Sequence, residues 1–235
     1  MRLNLYIAKS GVSSRRKADE LIFNGKIIVN NLVVKNPGIK IDTNKDIVVY
    51  KNKVLELQRY KYFIFNKPLN VVTTVKDPQN RKTVIDFFKN ENTRLFPVGR
   101  LDYDTTGLLF ITNDGEFSNK LMHPSKNKNK VYIATIDKSL VSREIILFKK
   151  GIKIENKRTS NSDIVFLKKY GKLFTYKVTI HEGMNRQIKK MFKFFGANVI
   201  KLKRVEIAGI KLGNLKEGEY KVLSKLEYNK LMEIK

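Results

Sequence analysis

The residues best suited by type and spacing to do chemistry lie in Gly99-Arg100-Leu101-Asp102-Tyr103-Asp104-Thr105-Thr106-Gly107. A carboxylate in such a segment can serve as a nucleophile or a base. The plainer reading is an Asx-turn, in which Asp and Thr side chains satisfy the loop backbone. The segment runs directly into Leu108-Leu109-Phe110-Ile111-Thr112, an apolar run that predicts a buried central strand. A loop anchored on a rigid strand holds side chains in fixed geometry, as catalysis needs.

A second segment, His181-Glu182-Gly183-Met184-Asn185-Arg186-Gln187-Ile188-Lys189-Lys190-Met191-Phe192, predicts an amphipathic helix. Ile188, Met191, Phe192 and Phe195 recur at helical spacing and form its apolar face. Arg186, Lys189, Lys190 and Lys193 share the other face, which on spacing alone is a solvated basic surface. Gly196 is placed to end the helix. In Lys130-Val131-Tyr132, the tyrosine reads on strand alternation as a core aromatic.

Composition removes several chemistries. The chain has no cysteine, so disulfides, thiolate nucleophiles and Cys-based zinc sites are excluded. With two histidines, a His-rich metal site is not expected. His181-Glu182 lacks the second histidine of a zinc-protease helix, because Asn185 stands there. No glycine-rich loop ends in Gly-Lys-Ser/Thr, so neither nucleotide hydrolysis nor a dinucleotide cofactor is indicated. The expectation is an activity without cofactor or metal, resting on Asp, Glu, Lys, Arg, Tyr, Ser or Thr.

Charge points to the partner. Among 235 residues the net charge is +26. A polyanion relieves that self-repulsion, and each neutralised phosphate releases counterions. Nucleic acid is favoured, with an acidic membrane surface as the rival. No run of about 18 apolar residues predicts a membrane helix, and the N-terminus lacks a signal-peptide pattern. A cytoplasmic protein without membrane association is expected.

The elements that must position these residues fall into two parts. Residues 1–58 read as a small separate module with its linker, and residues 59–235 as the larger domain. Leu3, Tyr6 and Ile7 share one helical face, and Gly11 breaks that helix. Ser13 or Ser14 caps a second helix, which carries Arg15, Arg16 and Lys17 in its first turn and ends at Gly25. Residues 26–29 and 32–34 form a hairpin around Asn30-Asn31, and residues 46–50 form a third strand. Three cations in a helix's first turn oppose its macrodipole, so the triplet reads as reserved for phosphates. Beyond the linker, strands are predicted at residues 62–65, 71–75, 108–112, 131–136, 163–167, 174–180 and 199–205. A helix is predicted near residues 116–122, and Ser224-Lys225-Leu226-Glu227 opens a last one with a capping box. The fold class is α+β, with a mixed or mostly antiparallel sheet.

Gly11-Val12-Ser13-Ser14-Arg15-Arg16-Lys17-Ala18, followed by the hairpin from Gly25, resembles the S4 RNA-binding domain. Residues 99–109, with Thr112-Asn113-Asp114-Gly115 behind them, resemble the signature of the RsuA/RluB/RluE/RluF pseudouridine synthases. The resemblance covers nearly the whole chain. It implies an S4 domain ahead of a central mixed or antiparallel sheet flanked by helices. It also implies isomerisation of uridine to pseudouridine in ribosomal RNA.

The same resemblance assigns residues. Asp102 is the nucleophile, and Asp104 and Asp114 are scaffold. Lys189 and Lys190 stand where arginines are usual, and Lys189 is implied to pair with Asp102. A nearby cation favours the ionised carboxylate, but lysine lacks the bidentate fork of arginine. Tyr132 is implied to stack on the flipped base. Arg15, Arg16, Lys17 and Lys26 in the first module, with Arg100, Arg186, Lys190, Lys193, Lys203 and Arg204, are expected to contact RNA. Asn66-Lys67-Pro68 and Met122-His123-Pro124 match family loops. The RluB branch, acting on large-subunit 23S rRNA or an assembly intermediate, is nearest, with the small-subunit RsuA type as the alternative. A monomer is expected. The reading from another class is a non-catalytic RNA-binding or ribosome-assembly protein, which would not need a carboxylate in a basic pocket.

Overall fold

The computed structural model describes residues 1–122 and 128–233, so His123 and Pro124 lie outside the described residues. The chain divides into two compact units, Met1–Lys61 with Lys89–Leu95, and Tyr62–Phe88 with Phe96–Lys235.

In the first unit, α1 (Leu3–Lys9) and α2 (Arg15–Phe23) precede β1 (Ile27–Val29), β2 (Leu32–Val34), β3 (Val48–Tyr50) and β4 (Lys53–Val54). The strands form a sheet in the order β2-β1-β3-β4. Leu3, Ile7, Ala18, Ile22, Ile27 and Val48 make its core, as the helical spacing predicts. Of the two candidate caps, Ser14 is the one used: its hydroxyl accepts from the Lys17 amide at 3.2 Å. Asn30 and Asn31 both adopt positive φ (49° and 65°), the pair of left-handed residues that a tight hairpin with right-twisted strands requires.

The second unit contains β5 (Tyr62–Lys67), a 3₁₀ helix (Val84–Phe88), β6 (Phe96–Val98), β7 (Thr106–Thr112), α3 (Gly115–Met122) and β8 (Lys130–Ile136). It continues through α4 (Ser142–Lys150), β9 (Lys153–Ile154), β10 (Lys157–Arg158), β11 (Asp163–Tyr170), β12 (Leu173–Ile180) and α5 (Gln187–Phe194). It ends with β13 (Val199–Ile207), β14 (Ile210–Lys211), β15 (Tyr220–Val222) and α6 (Lys225–Glu233).

The central sheet runs β11-β12-β8-β13-β7-β5-β15, with β14 beside β13 and β6 beside β7. Its pairings are antiparallel except β13 with β7, which is parallel. The protein is therefore α+β with a mixed sheet flanked by helices. Every residue of β7 is buried, as its apolar run predicts. Leu108 and Phe110 pack with Phe117 and Leu121 of α3 and Leu231 of α6. Burying such side chains stabilises by roughly 1.5–3 kcal/mol each. Asp114 caps α3, accepting from the Glu116 and Phe117 amides at 2.9 and 3.2 Å, while Tyr62 donates to its other oxygen. The Ser224–Glu227 capping box forms in both directions, at 3.2 and 2.9 Å.

The sequence did not mark α4, β6, β9, β10, β14 or β15, and two of the elements it did mark differ from expectation. Residues 71–75 are not a strand, and only Val72 bridges, to Thr83. Thr73 turns instead to the loop ahead of β7, its hydroxyl donating to the Leu101 carbonyl at 2.7 Å, while the Thr74 hydroxyl donates to the Lys76 carbonyl. Helix α5 starts at Gln187 rather than near His181, because Arg186 takes a left-handed conformation (φ 52°) that a helix cannot continue through. Among the described residues, no helix is long and apolar enough to cross a membrane.

Candidate active site

The loop before β7 is held from several sides. The Thr105 amide donates to the Asp102 carbonyl (3.1 Å) and closes a turn around Tyr103 and Asp104. The Asn70 amide donates to the Tyr103 carbonyl at 3.0 Å. Beneath the loop lies Lys67, the last residue of β5, with no exposed surface. Its ammonium donates to the carbonyls of Pro68 and Thr105, each at 2.9 Å. Burial pushes Lys67 down to about 8, with Asp104 and Asp102 pulling the other way. A lysine placed there serves as a structural cation under two carboxylates.

Helix α5 supplies the facing wall. Ile188, Met191 and Phe192 anchor it in the core. The buried Gln187 pins the turn before it, accepting from the Met184 amide (3.1 Å) and donating to Glu182 (2.7 Å). With its apolar face so fixed, α5 presents Lys189 to the loop, and Lys189 is not part of a solvated face. The Lys189 side chain is 12% exposed and that of Asp102 is 30% exposed, with Nζ 3.3 Å from Asp102 Oδ2. The same Nζ donates to Asp104 Oδ1 and to Thr105 Oγ1 (3.0 Å). Arg186 donates to both oxygens of Asp104, at 3.4 and 3.2 Å. Burial raises the Asp104 carboxyl, but the Lys189 hydrogen bond and the Lys189 and Arg186 charges outweigh it and hold the group below its ordinary value.

A cavity of about 330 Å³ opens beside this ion pair, lined among others by Arg100, Asp102, Tyr132, Arg186 and Arg204. That volume is at the small end of the range for sites that enclose a small molecule, and nucleotide-sized chemistry fits it. Tyr132, from β8, is buried in the wall, and its hydroxyl accepts from Arg204 at 3.4 Å.

The expected site residues are therefore partly assembled here. Asp102, Lys189, Tyr132, Arg100 and Arg186 converge. Arg186, Lys190 and Lys193 line an adjoining cavity of about 310 Å³ beside Asp104 and Lys189. Lys190 is paired with Glu155 at 2.7 Å. Arg15, Arg16, Lys17 and Lys26 are exposed on the first unit, where Lys17 pairs with Glu20 at 2.5 Å.

Lys203 and Arg204 are placed differently from one another. Arg204 lines the cavity from a buried position. It is 4% exposed, and its Nε donates to the Leu108 carbonyl at 2.8 Å. Lys203 points away from Arg204, because side chains alternate along β13, and it lines a separate cavity with Val131 and Lys177.

Asp104, Thr105 and Lys67 were not singled out as site residues from the sequence. Lys67 shares a strand face with Phe63 and Phe65, but β5 is buried on both faces. Thr105 carried no signal.

Known proteins share this sequence and fold. Residues 61–194 match the family profile described as RNA pseudouridylate synthase, and residues 1–47 match that of the S4 domain. The ribosomal large subunit pseudouridine synthase B of Bacillus subtilis (strain 168) is 43% identical over 98% of this chain and 95% of its own length. The dual-specificity RNA pseudouridine synthase RluF of Escherichia coli (strain K12) is 32% identical over 95% of this chain and 76% of its own. Among solved structures, a crystal structure of a pseudouridylate synthase is 29% identical with a TM-score of 0.72, covering 98% of this chain and 99% of that one.

Proposed function

The chain belongs to the RNA pseudouridylate synthase family, and on that footing we propose that it isomerises one uridine of large-subunit (23S) ribosomal RNA, with Asp102 as the reacting carboxylate. The large-subunit assignment rests on the Bacillus relative, whose name carries that substrate.

The observation that carries the reading is one carboxylate, partly open to a small cavity, beside the cation Lys189. A protein that only bound RNA would gain nothing from an acid there, because it repels phosphate. In the reaction the N1–C1′ bond of uridine breaks, the base turns, and a C5–C1′ bond forms. The C5 proton is lost and N1 gains one, so atoms balance without redox change or energy input. A stacked nucleotide must first leave the helix, at a cost of roughly a few kcal/mol. Asp102 assists the bond exchange as nucleophile or base. Lys189 pairs with it at 3.3 Å, Tyr132 stacks on the everted ring, and Arg100 positions the flanking nucleotide.

Residues 1–58 hold RNA as the S4 module, and residues 59–235 carry the chemistry. Arg15, Arg16, Lys17 and Lys26 contact phosphates from the first, and Arg186, Lys190 and Lys193 from the second. The protein acts as a monomer, in the cytoplasm where ribosomes are built. The test is to map pseudouridines in 23S rRNA with and without the protein, then with Asp102→Asn. The expected result is one site lost on deletion and not restored by the variant, although the variant still binds RNA. Normal modification by Asp102→Asn would refute the assignment.

A further inference from the structure

We propose that Asp104 and Thr105 are positioning residues that orient the Lys189 ammonium toward Asp102, replacing the orientation that an arginine would supply by itself. The inference rests on Asp102 being the reacting carboxylate.

A lysine ammonium has three N–H donors and no preferred plane. On a flexible four-carbon stem, one ion pair does not fix where its charge sits. Here the three donors have three acceptors, all from one turn of chain: Asp102 Oδ2 at 3.3 Å, Thr105 Oγ1 at 3.0 Å, and Asp104 Oδ1. The Lys189 side chain is largely shielded from water, so solvent does not take these places.

The two supporting acceptors are themselves immobilised. Thr105 is buried, its amide donates to the Asp102 carbonyl, and its carbonyl accepts from Lys67. Asp104 is clasped by Arg186 through both oxygens. That clasp also balances charge: two carboxylates face two cations, with Lys189 nearer to Asp104 than to Asp102. Asp104 is otherwise hard to explain. It is half exposed on a chain whose net charge is +26, beside a cavity lined by cations, where an acid opposes RNA binding.

The experiment is a kinetic double-mutant cycle with the full-length protein and an rRNA fragment containing the target uridine. Asp104→Asn should lower kcat by about 10-fold or more, a typical size for a coupled contact, while KM stays within about 3-fold. Thr105→Val should lower kcat in the same direction. In a Lys189→Arg background the Asp104→Asn loss should shrink to about 3-fold or less, because a guanidinium fork orients itself on Asp102. A plain surface acid would give the opposite signature, with tighter RNA binding and unchanged kcat. That result, or an equal loss in both backgrounds, overturns the proposal. Asp102→Asn separates the two levels. If it is inactive while Asp104→Asn is fully active, only this inference fails; if it is active, the reading beneath fails.

Discussion

A Cβ on Gly107 would lie 2.1 Å from the carbonyl oxygen of Arg204 and 2.7 Å from its amide nitrogen. Gly107 (φ 107°) pairs with Arg204 where β7 and β13 run parallel, the junction between the two halves of the sheet. The glycine that ends the reactive loop is thus required by a backbone that no side chain could approach so closely.

Gly107→Ala is therefore expected to destabilise the protein by about 3 kcal/mol or more, combining a left-handed strain with a backbone clash. Chemical denaturation should show a lower midpoint, and pseudouridine formation should fall in parallel because Asp102 and Lys203–Arg204 share that seam. An unchanged midpoint would mean that the strands part at little cost.

Lys67 makes stability depend on alkaline pH. Its value in the folded protein is about 8 against 10.5 for an ordinary lysine. Between these values the unfolded chain holds the proton more tightly, so stability rises with pH in that window. Relative to Lys67→Met, the wild-type protein should gain up to about 3 kcal/mol between pH 8 and pH 10.5. Parallel denaturation curves at several pH values measure this, and a constant difference would show that the buried ammonium is not perturbed.

Tyr132→Phe and Tyr132→Ala separate the ring from the hydroxyl. Base–aromatic stacking is worth roughly 1–3 kcal/mol, so loss of the ring should cut kcat/KM by about 5- to 150-fold beyond the Phe variant. Circular dichroism checks that both fold. Equal activity for the two would rule out stacking by this residue.

Neutralising Arg15, Arg16 and Lys17 together should weaken RNA binding and reduce the slope of log K against log salt by up to about 2–3, near 0.7–0.9 for each phosphate no longer neutralised. The helix should survive or strengthen, since α2 has no acid in its first turn and sheds cations opposed to its dipole. An unaltered salt slope would leave the triplet as a solvated face.

Legibility differed by kind of residue. Leu3, Tyr6 and Ile7, the buried β7 run and the apolar face of α5 could be read because periodicity reports which side is buried. Asp102 stood out through its setting between glycines and ahead of a buried strand, and its role came from family resemblance. Residues 71–75 misled because β-rich composition predicts a strand, whereas Thr73 directs its polar groups to Leu101. Arg204 was not legible as buried because cations are usually exposed, whereas here its Nε donates to a strand carbonyl and its Nη1 to a tyrosine hydroxyl, and Nη2 is buried with no partner among the described residues.

By itself the sequence determined the helices and hairpin of the first unit, the buried β7 run, the apolar face of α5, the excess of positive charge and the family motifs, since these depend on spacing along one chain. Only the tertiary structure decided that Lys189 meets Asp102, Asp104 and Thr105 together, that Lys67 lies beneath them, and that Lys203 and Arg204 part company. Those contacts join residues up to 87 positions apart, and they arise from sheet pairing and helix packing that no local pattern encodes.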